Sequence, residues 1–189
     1  GINLYYLSGP LISGNTIGAS YTAIYLYSCN NAPQIISNKI SGGDRYGIYL
    51  LSADGDASNY GLIANNFVQI ETHESSSTYG IYVDFSDYLN IYHNNINVTG
   101  TESTSSSYAM YAAENASNLK IKNNILCNIA NGYAIHFSST SISSDCNYNN
   151  LYSMGDNIAE LNNTSYADLG LWRTATGFDA NSLQYNPQF

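Results

Sequence analysis

A five-residue phrase recurs along this chain, and its recurrence leaves few folds open. Tyr46-Gly47-Ile48-Tyr49-Leu50 returns as Tyr79-Gly80-Ile81-Tyr82-Val83, Tyr108-Ala109-Met110-Tyr111-Ala112 and Tyr133-Ala134-Ile135-His136-Phe137. Ala23-Ile24-Tyr25-Leu26 and Gly1-Ile2-Asn3-Leu4 extend the series backwards. The first apolar residue of each copy stands at 2, 24, 48, 81, 110 and 135, so the spacing runs 22, 24, 33, 29 and 25. Repeats of this period belong to solenoids, whose units cannot bury an apolar face alone and must stack on their neighbours.

A second motif, apolar-x-x-Asn-x-apolar, follows each copy. It reads Ile12/Asn15/Ile17, Ile35/Asn38/Ile40, Leu62/Asn65/Phe67, Ile91/Asn94/Ile96, Ile121/Asn124/Leu126 and, more weakly, Cys146/Asn149/Leu151. Each period therefore holds three short strands with an Asn corner between the second and third. Short apolar runs rich in β-branched and aromatic residues, broken by polar corners, favour strand over helix. Two physical reasons would place Asn at a corner. It tolerates the left-handed backbone of a sharp bend, and stacked Asn amides hydrogen-bond from one rung to the next.

With these motifs the chain resembles the right-handed parallel β-helix family of pectate-lyase-like folds, in its repeat-containing secreted bacterial branch. The resemblance implies an all-β solenoid in which the Gly-Ile strands form a first sheet, the Ile-x-x-Asn segments a second and the residues after the Asn a third. The expected architecture is about six rungs over residues 1–152 and a C-terminal cap over 153–189. The core of the first sheet is expected to be Ile2/Leu4, Ile24/Leu26, Ile48/Leu50, Ile81/Val83, Met110/Ala112 and Ile135/Phe137.

Composition narrows the function. Charged residues make up 10% of the chain, and 19 of its 189 residues are Tyr, a balance suited to an extracellular β-rich surface. Net charge is −9, which argues against nucleic acid as a partner and against tight binding of a polyanionic sugar. No apolar run approaches membrane-spanning length. Cys29, Cys127 and Cys146 form no disulfide framework, and Cys146 reads as a small core residue. Localisation is expected to be secreted or cell-surface, with these residues a mature or trimmed chain. Because Ile2 already reads as first-sheet strand, the N-terminal rung is expected either to continue into a longer parent protein or to stack end to end on another subunit.

Two connections read as long polar loops, residues 68–78 and 97–107, each between a third and a first strand. A smaller insertion, Asp54-Gly55-Asp56-Ala57-Ser58-Asn59, lengthens the corner after the third first-sheet strand. Near the C-terminus, Ser165 to Asp168 reads as a capping box opening a helix over about 166–175, with Gly177 closing it and Trp172 on the last rung.

The outward position after each core residue of the first sheet is Asn3, Tyr25, Tyr49, Tyr82, Tyr111 and His136. Strand side chains alternate between faces, so these are expected to form one column about 4.8 Å per step. Tyr46, Tyr79, Tyr108 and Tyr133 are expected to form a second. Such a surface suits a neutral glycan, through ring faces and hydroxyl edges; equally, Tyr serves simply to cover a sheet.

Family enzymes bind substrate over the first sheet, so carboxylates there carry weight. Asp84 is expected to point outward, with Glu71, His73 and Glu74 in a loop overhanging it, a possible acid and base pair. The resemblance also implies motifs that are missing: Tyr stands where family hydrolases carry catalytic Asp, and only Arg45 lies near the first sheet for lyase chemistry. Asp54 and Asp56 are the candidate Ca²⁺ ligands, although Asp-Gly-Asp is also ordinary turn chemistry. The readings are thus a non-catalytic module that binds a glycan or partner or acts as a spacer, a polysaccharide hydrolase or lyase, and a filament subunit.

Overall fold

The computed structural model describes residues 1–72, 77–100 and 107–189. The chain winds in turns of three strands. The first holds β1 (Ile2–Tyr5), β2 (Leu11–Ser13) and β3 (Thr16–Gly18), and the second β4 (Thr22–Tyr27), β5 (Gln34–Ile36) and β6 (Lys39–Ser41). The third and fourth are β7 (Tyr46–Leu51), β8 (Gly61–Ala64), β9 (Phe67–Glu71), β10 (Thr78–Asp84), β11 (Leu89–Tyr92) and β12 (Asn95–Thr99). The fifth and sixth are β13 (Ser107–Ala112), β14 (Leu119–Lys122), β15 (Ile125–Asn128), β16 (Tyr133–Phe137), β17 (Ser143–Asn147) and β18 (Asn150–Ser153). β19 (Ala159–Leu161), β20 (Thr164–Tyr166) and helix α1 (Leu169–Thr176) complete the chain.

Every third strand pairs with the next of its kind, which builds three sheets along one axis. The first sheet runs β1-β4-β7-β10-β13-β16-β19-β20 and the other two hold six strands each. The six expected rungs are present. The repeat was expected to stop at residue 152, but the first sheet takes one more parallel strand, β19, before β20 turns back antiparallel. Among the described residues no helix is long and apolar enough to cross a membrane.

The first-sheet strands share a burial pattern with a physical cause. In β7 and β10 the small residue and the core residue after it both point inward, while the Tyr on either side points out. The strand bends at the small residue, where there is little room. A Cβ on Gly80 would lie 2.2 Å from Ile96 Cγ2 and 2.5 Å from the Ala109 carbonyl oxygen. Ala23, Ala109 and Ala134 fill the same column in other turns, fully buried. Because of this bend, tyrosines three residues apart both face outward. From Ile24/Leu26 to Ile135/Phe137 the expected core pairs are all completely buried; Ile2 and Leu4 of the first turn are partly buried.

The Asn motif needs two corrections. The first concerns register. In the third turn Ile63, not Leu62, pairs with Ile35 and Ile91, and Val68, not Phe67, with Ile40 and Ile96. The corner residue in phase is therefore Asn66, not Asn65. The six-residue insertion hides this, since two adjacent Asn leave the sequence ambiguous by one. The second concerns conformation. The left-handed residues are Gly14, Ser37, Asn65, His93, Asn123 and Tyr148, each immediately before its ladder Asn. The ladder residues Asn15, Asn38, Asn66, Asn94, Asn124 and Asn149 are placed by their amides instead. Asn66 Nδ2 donates to Asn94 Oδ1 (2.9 Å) and to the Ile35 carbonyl oxygen (2.8 Å), while its Oδ1 accepts from Asn38 N and Nδ2 (both 3.0 Å). Both donors and both lone pairs are used, and Asn66 and Asn94 are fully buried.

The ladder ends on Asp179, which the sequence reading missed. Asn149 Nδ2 donates to Asp179 Oδ1 at 3.0 Å, and Trp172 Nε1 and Cys146 Sγ donate to Oδ2 at 2.9 and 3.2 Å. Ser182 Oγ accepts from the Asn149 backbone N (2.8 Å), as the next Asn would. A carboxylate only accepts, so the chain of amides stops here with its last donors satisfied. Its spacing of 30 residues from Asn149 was the available signal, since the repeat spans 22 to 33.

The helix also departs from expectation at its start. Ser165 belongs to β20, and Asp168 is the N-cap, accepting from Leu171 N at 2.8 Å. Gly177 closes the helix at φ 74°, as expected. Trp172 is fully buried, 5.8 Å from the ring of Phe137, so the helix lies over the last turn.

Candidate functional site

The outer face of the first sheet carries the expected column. Asn3, Tyr25, Tyr49, Tyr82, Tyr111 and His136 align through the strand register. Tyr46, Tyr79, Tyr108 and Tyr133 align beside them. The two columns interlock. Tyr46, Tyr79, Tyr108 and Tyr133 stack within 13° of parallel, at 5.2, 5.3 and 5.8 Å. Tyr82, Tyr111 and His136 stack equally flat, at 5.1 and 4.2 Å. Tyr82 lies edge-on to Tyr79 (75°), as Tyr111 does to Tyr108 (79°).

This geometry has a chemical consequence. Within the wall, ring faces are covered by other rings, so the solvent meets edges and hydroxyls. Each pair adds about 0.5–1.5 kcal/mol beyond its buried area, so the wall also stabilises the sheet. Partial burial raises the phenol of Tyr49 to about 12, and raises Tyr82 and Tyr108 for the same leading reason. The hydroxyls of Tyr49, Tyr82 and Tyr108 are thus neutral donors and acceptors at neutral pH.

At the N-terminal end the wall opens into a cleft of about 490 Å³, bordered by Tyr5, Tyr21, Tyr25, Tyr46, Tyr49 and Arg45. Tyr25 has Asn3, not a ring, at the next position of its column, and Tyr5 meets it edge-on at 5.7 Å. The Arg45 guanidinium lies 5.3 Å from the Tyr46 ring centre and donates to Tyr21 Oη at 2.7 Å. It fixes the Tyr21 ring as one wall of the cleft.

At the other end a second hollow of about 480 Å³ lies among Asp84, Tyr111, Glu114, His136, Ser138 and Glu160. Glu114 and Glu160 escaped the sequence reading. Glu160 sits in the same column as His136, but the irregular spacing after residue 152 obscures that phase. His136 is 5% exposed, and its Nδ1 lies 3.5 Å from Glu160 Oε1. Burial outweighs the attraction of Glu160 and lowers the imidazole to about 4, so the contact is not an ion pair at neutral pH. Unfolded His titrates near 6.5. Stability associated with His136 is therefore full above pH 6.5 and is lost as pH falls towards 4. Chemical denaturation at pH 7 and pH 4.5 should show a larger loss in wild type than in His136→Gln; equal losses would contradict a buried neutral imidazole.

The carboxylates weighed as an acid and base pair are not brought together. Asp84 ends strand β10 of the first sheet, whereas Glu71 ends β9 in the third sheet and is exposed. β10 alone, seven residues long, puts about 20 Å of extended chain between its two ends. The expected loops are shorter than read, since Val68–Glu71 and Asn97–Thr99 are strand. His73 and Glu74 lie outside the described residues. Asp54 accepts from Asp87 N at 2.8 Å, and Asp56 accepts from Ser58 N, Ser58 Oγ and Asn59 N. Asp56 thus closes its own turn, while Asp54 ties that corner to the next rung. Among the described residues no three His, Cys, Asp or Glu side chains gather closely enough to hold a metal ion.

Residues 1–168 match the family model described as the right handed beta helix region. No curated protein and no solved structure matches the chain.

Proposed function

Since the chain belongs to the right-handed β-helix family, a scaffold that by itself dictates no chemistry, we propose that it is a non-catalytic, secreted or surface-displayed module that binds neutral glycan along the outer face of its first sheet. The observation that carries this reading is the cleft of about 490 Å³ bordered by five tyrosines, Arg45 and Asn3. There the stacked wall gives way to an open space. A sugar ring gains an aromatic surface at Tyr25 and hydroxyl partners from its neighbours, a combination that suits a ligand with apolar faces and polar rims. Neutral, half-buried phenols strengthen the match, because they donate and accept without a charge that must be desolvated. The 10% charged composition agrees with such a role.

Affinity electrophoresis through gels containing hydroxyethylcellulose, galactomannan or xyloglucan tests the reading. Wild type should be retarded by at least one of them. Tyr25→Ala and Tyr49→Ala should each reduce that retardation by about tenfold in apparent affinity, the usual cost of an aromatic anchor. Retardation unchanged by both substitutions, or absent in all three gels, would reject the proposal.

A further inference from the structure

Open aromatic surface on the first-sheet face is confined to its N-terminal end. Tyr5 and Tyr21 are 51% and 54% exposed, whereas every first-sheet tyrosine from Tyr46 to Tyr133 is partly buried. The packing of the wall is the cause. Tyr46 lies flat against Tyr49 (4.7 Å, 22°) and against Tyr79 (5.2 Å, 10°), and Tyr82 meets Tyr49 edge-on at 4.9 Å. Further along, Tyr79 is stacked on Tyr108 and Tyr82 on Tyr111. A pyranose gains most from an aromatic ring by covering its face and excluding water. A hydroxyl at a ring edge only exchanges a hydrogen bond to water for one to the sugar. The wall beyond Tyr49 can therefore touch a glycan but adds little to its affinity.

The open part is also short. It reaches from Asn3 and Tyr5 on β1, past Tyr25 on β4, to Tyr46 and Tyr49 on β7. Tyr21 comes from the connection ahead of β4 and Tyr5 is the last residue of β1, so the two flank the cleft and its open direction runs across the strands. Two strand spacings separate its first turn from its third, roughly 10 Å. An extended β-1,4-linked chain advances by about one strand spacing per sugar, so this length takes about three residues. We infer that the cleft recognises a neutral oligosaccharide about three residues at a time, and that the tyrosine wall beyond it is a support rather than a binding track. This length limit rests on the glycan-binding reading and sets the size of its ligand.

Calorimetric titration with β-1,4-linked gluco- and manno-oligosaccharides, from the disaccharide to the hexasaccharide, tests it. In at least one series affinity should rise about tenfold from the disaccharide to the trisaccharide, as a further sugar reaches aromatic surface. From the trisaccharide to the hexasaccharide it should rise by no more than about fourfold, the number of registers in which the longer chain can fill the site. Tyr111→Ala, two turns beyond Tyr49, should leave hexasaccharide affinity unchanged, whereas Tyr25→Ala should lower it by about tenfold. An affinity that climbs about tenfold or more from the trisaccharide to the hexasaccharide, or that falls equally in the two variants, would overturn the length limit and leave the glycan-binding reading intact. Retardation in the polysaccharide gels without binding of any oligosaccharide would do the same. Absence of binding in both assays would reject the glycan-binding reading itself, and the length limit with it.

Discussion

Ile81→Asp should yield no folded protein. Ile81 is fully buried, paired in register with Ile48 below and Met110 above. Burying its side chain contributes about 1.5–3 kcal/mol, all of it lost on substitution. The carboxyl then enters an apolar column that offers it no partner. It would have to raise its pKa by roughly 3–5 units and take up a proton, which at neutral pH costs about 4 kcal/mol. Together these approach the whole stability of an ordinary domain, about 5–15 kcal/mol. Tyr82→Ser, one residue on, should instead give a folded protein, because Tyr82 lies on the outer face. Circular dichroism and sedimentation would read both variants. A soluble Ile81→Asp that melts like wild type would disprove the inward register.

The second large effect separates two adjacent residues of the same type. Asn66→Ala should destabilise by about 3–5 kcal/mol, because several buried polar groups lose partners at once. Asn38 N and Nδ2 lose their acceptor, the Ile35 carbonyl oxygen loses a donor, and Asn94 Oδ1 loses one of two. In a domain of this size that is a fall of roughly 10 °C in Tm. Asn65→Ala should cost only about 1 kcal/mol, the penalty of placing Ala in the left-handed conformation that Asn65 adopts at φ 57°. Thermal melts of the two variants side by side suffice. Equal losses, or a larger loss at Asn65, would mean that the amide ladder runs through the wrong residue.

The pair also shows where sequence reasoning reaches its limit. Apolar periodicity is strong when every turn repeats it, so Ile24, Ile48, Ile81, Met110 and Ile135 could be placed in one buried column without coordinates. The third turn is different. Its inserted residues Asp54 to Asn59 break the count, and Ala64-Asn65-Asn66 admits either phase. Only pairing with Ile35 and Ile91 on the neighbouring turns settles that Ile63 points inward.

The candidate sites divide in the same manner. The alignment of Tyr25, Tyr49, Tyr82, Tyr111 and His136 follows from the repeat, since equal positions in stacked turns must lie above one another. Their ring orientations do not follow from it. The wall is herringbone, with Tyr49 edge-on to Tyr82 at 89°, and that decides which ring surfaces solvent can reach. Asp84 was legible as an outward carboxylate, but its company was not. The hollow joins it to Glu114 and Glu160, which stand 30 and 76 residues further along the chain.

Sequence by itself settled the all-β coil, its six three-strand turns and the inward and outward sides of the first sheet, because each is a consequence of one repeating period. Tertiary structure alone decided the phase of the third turn, the Asp179 terminus of the amide ladder and the placement of Glu160 against His136. These depend on contacts between turns 24 to 30 residues apart, where an insertion of any length shifts the partner without changing the local pattern.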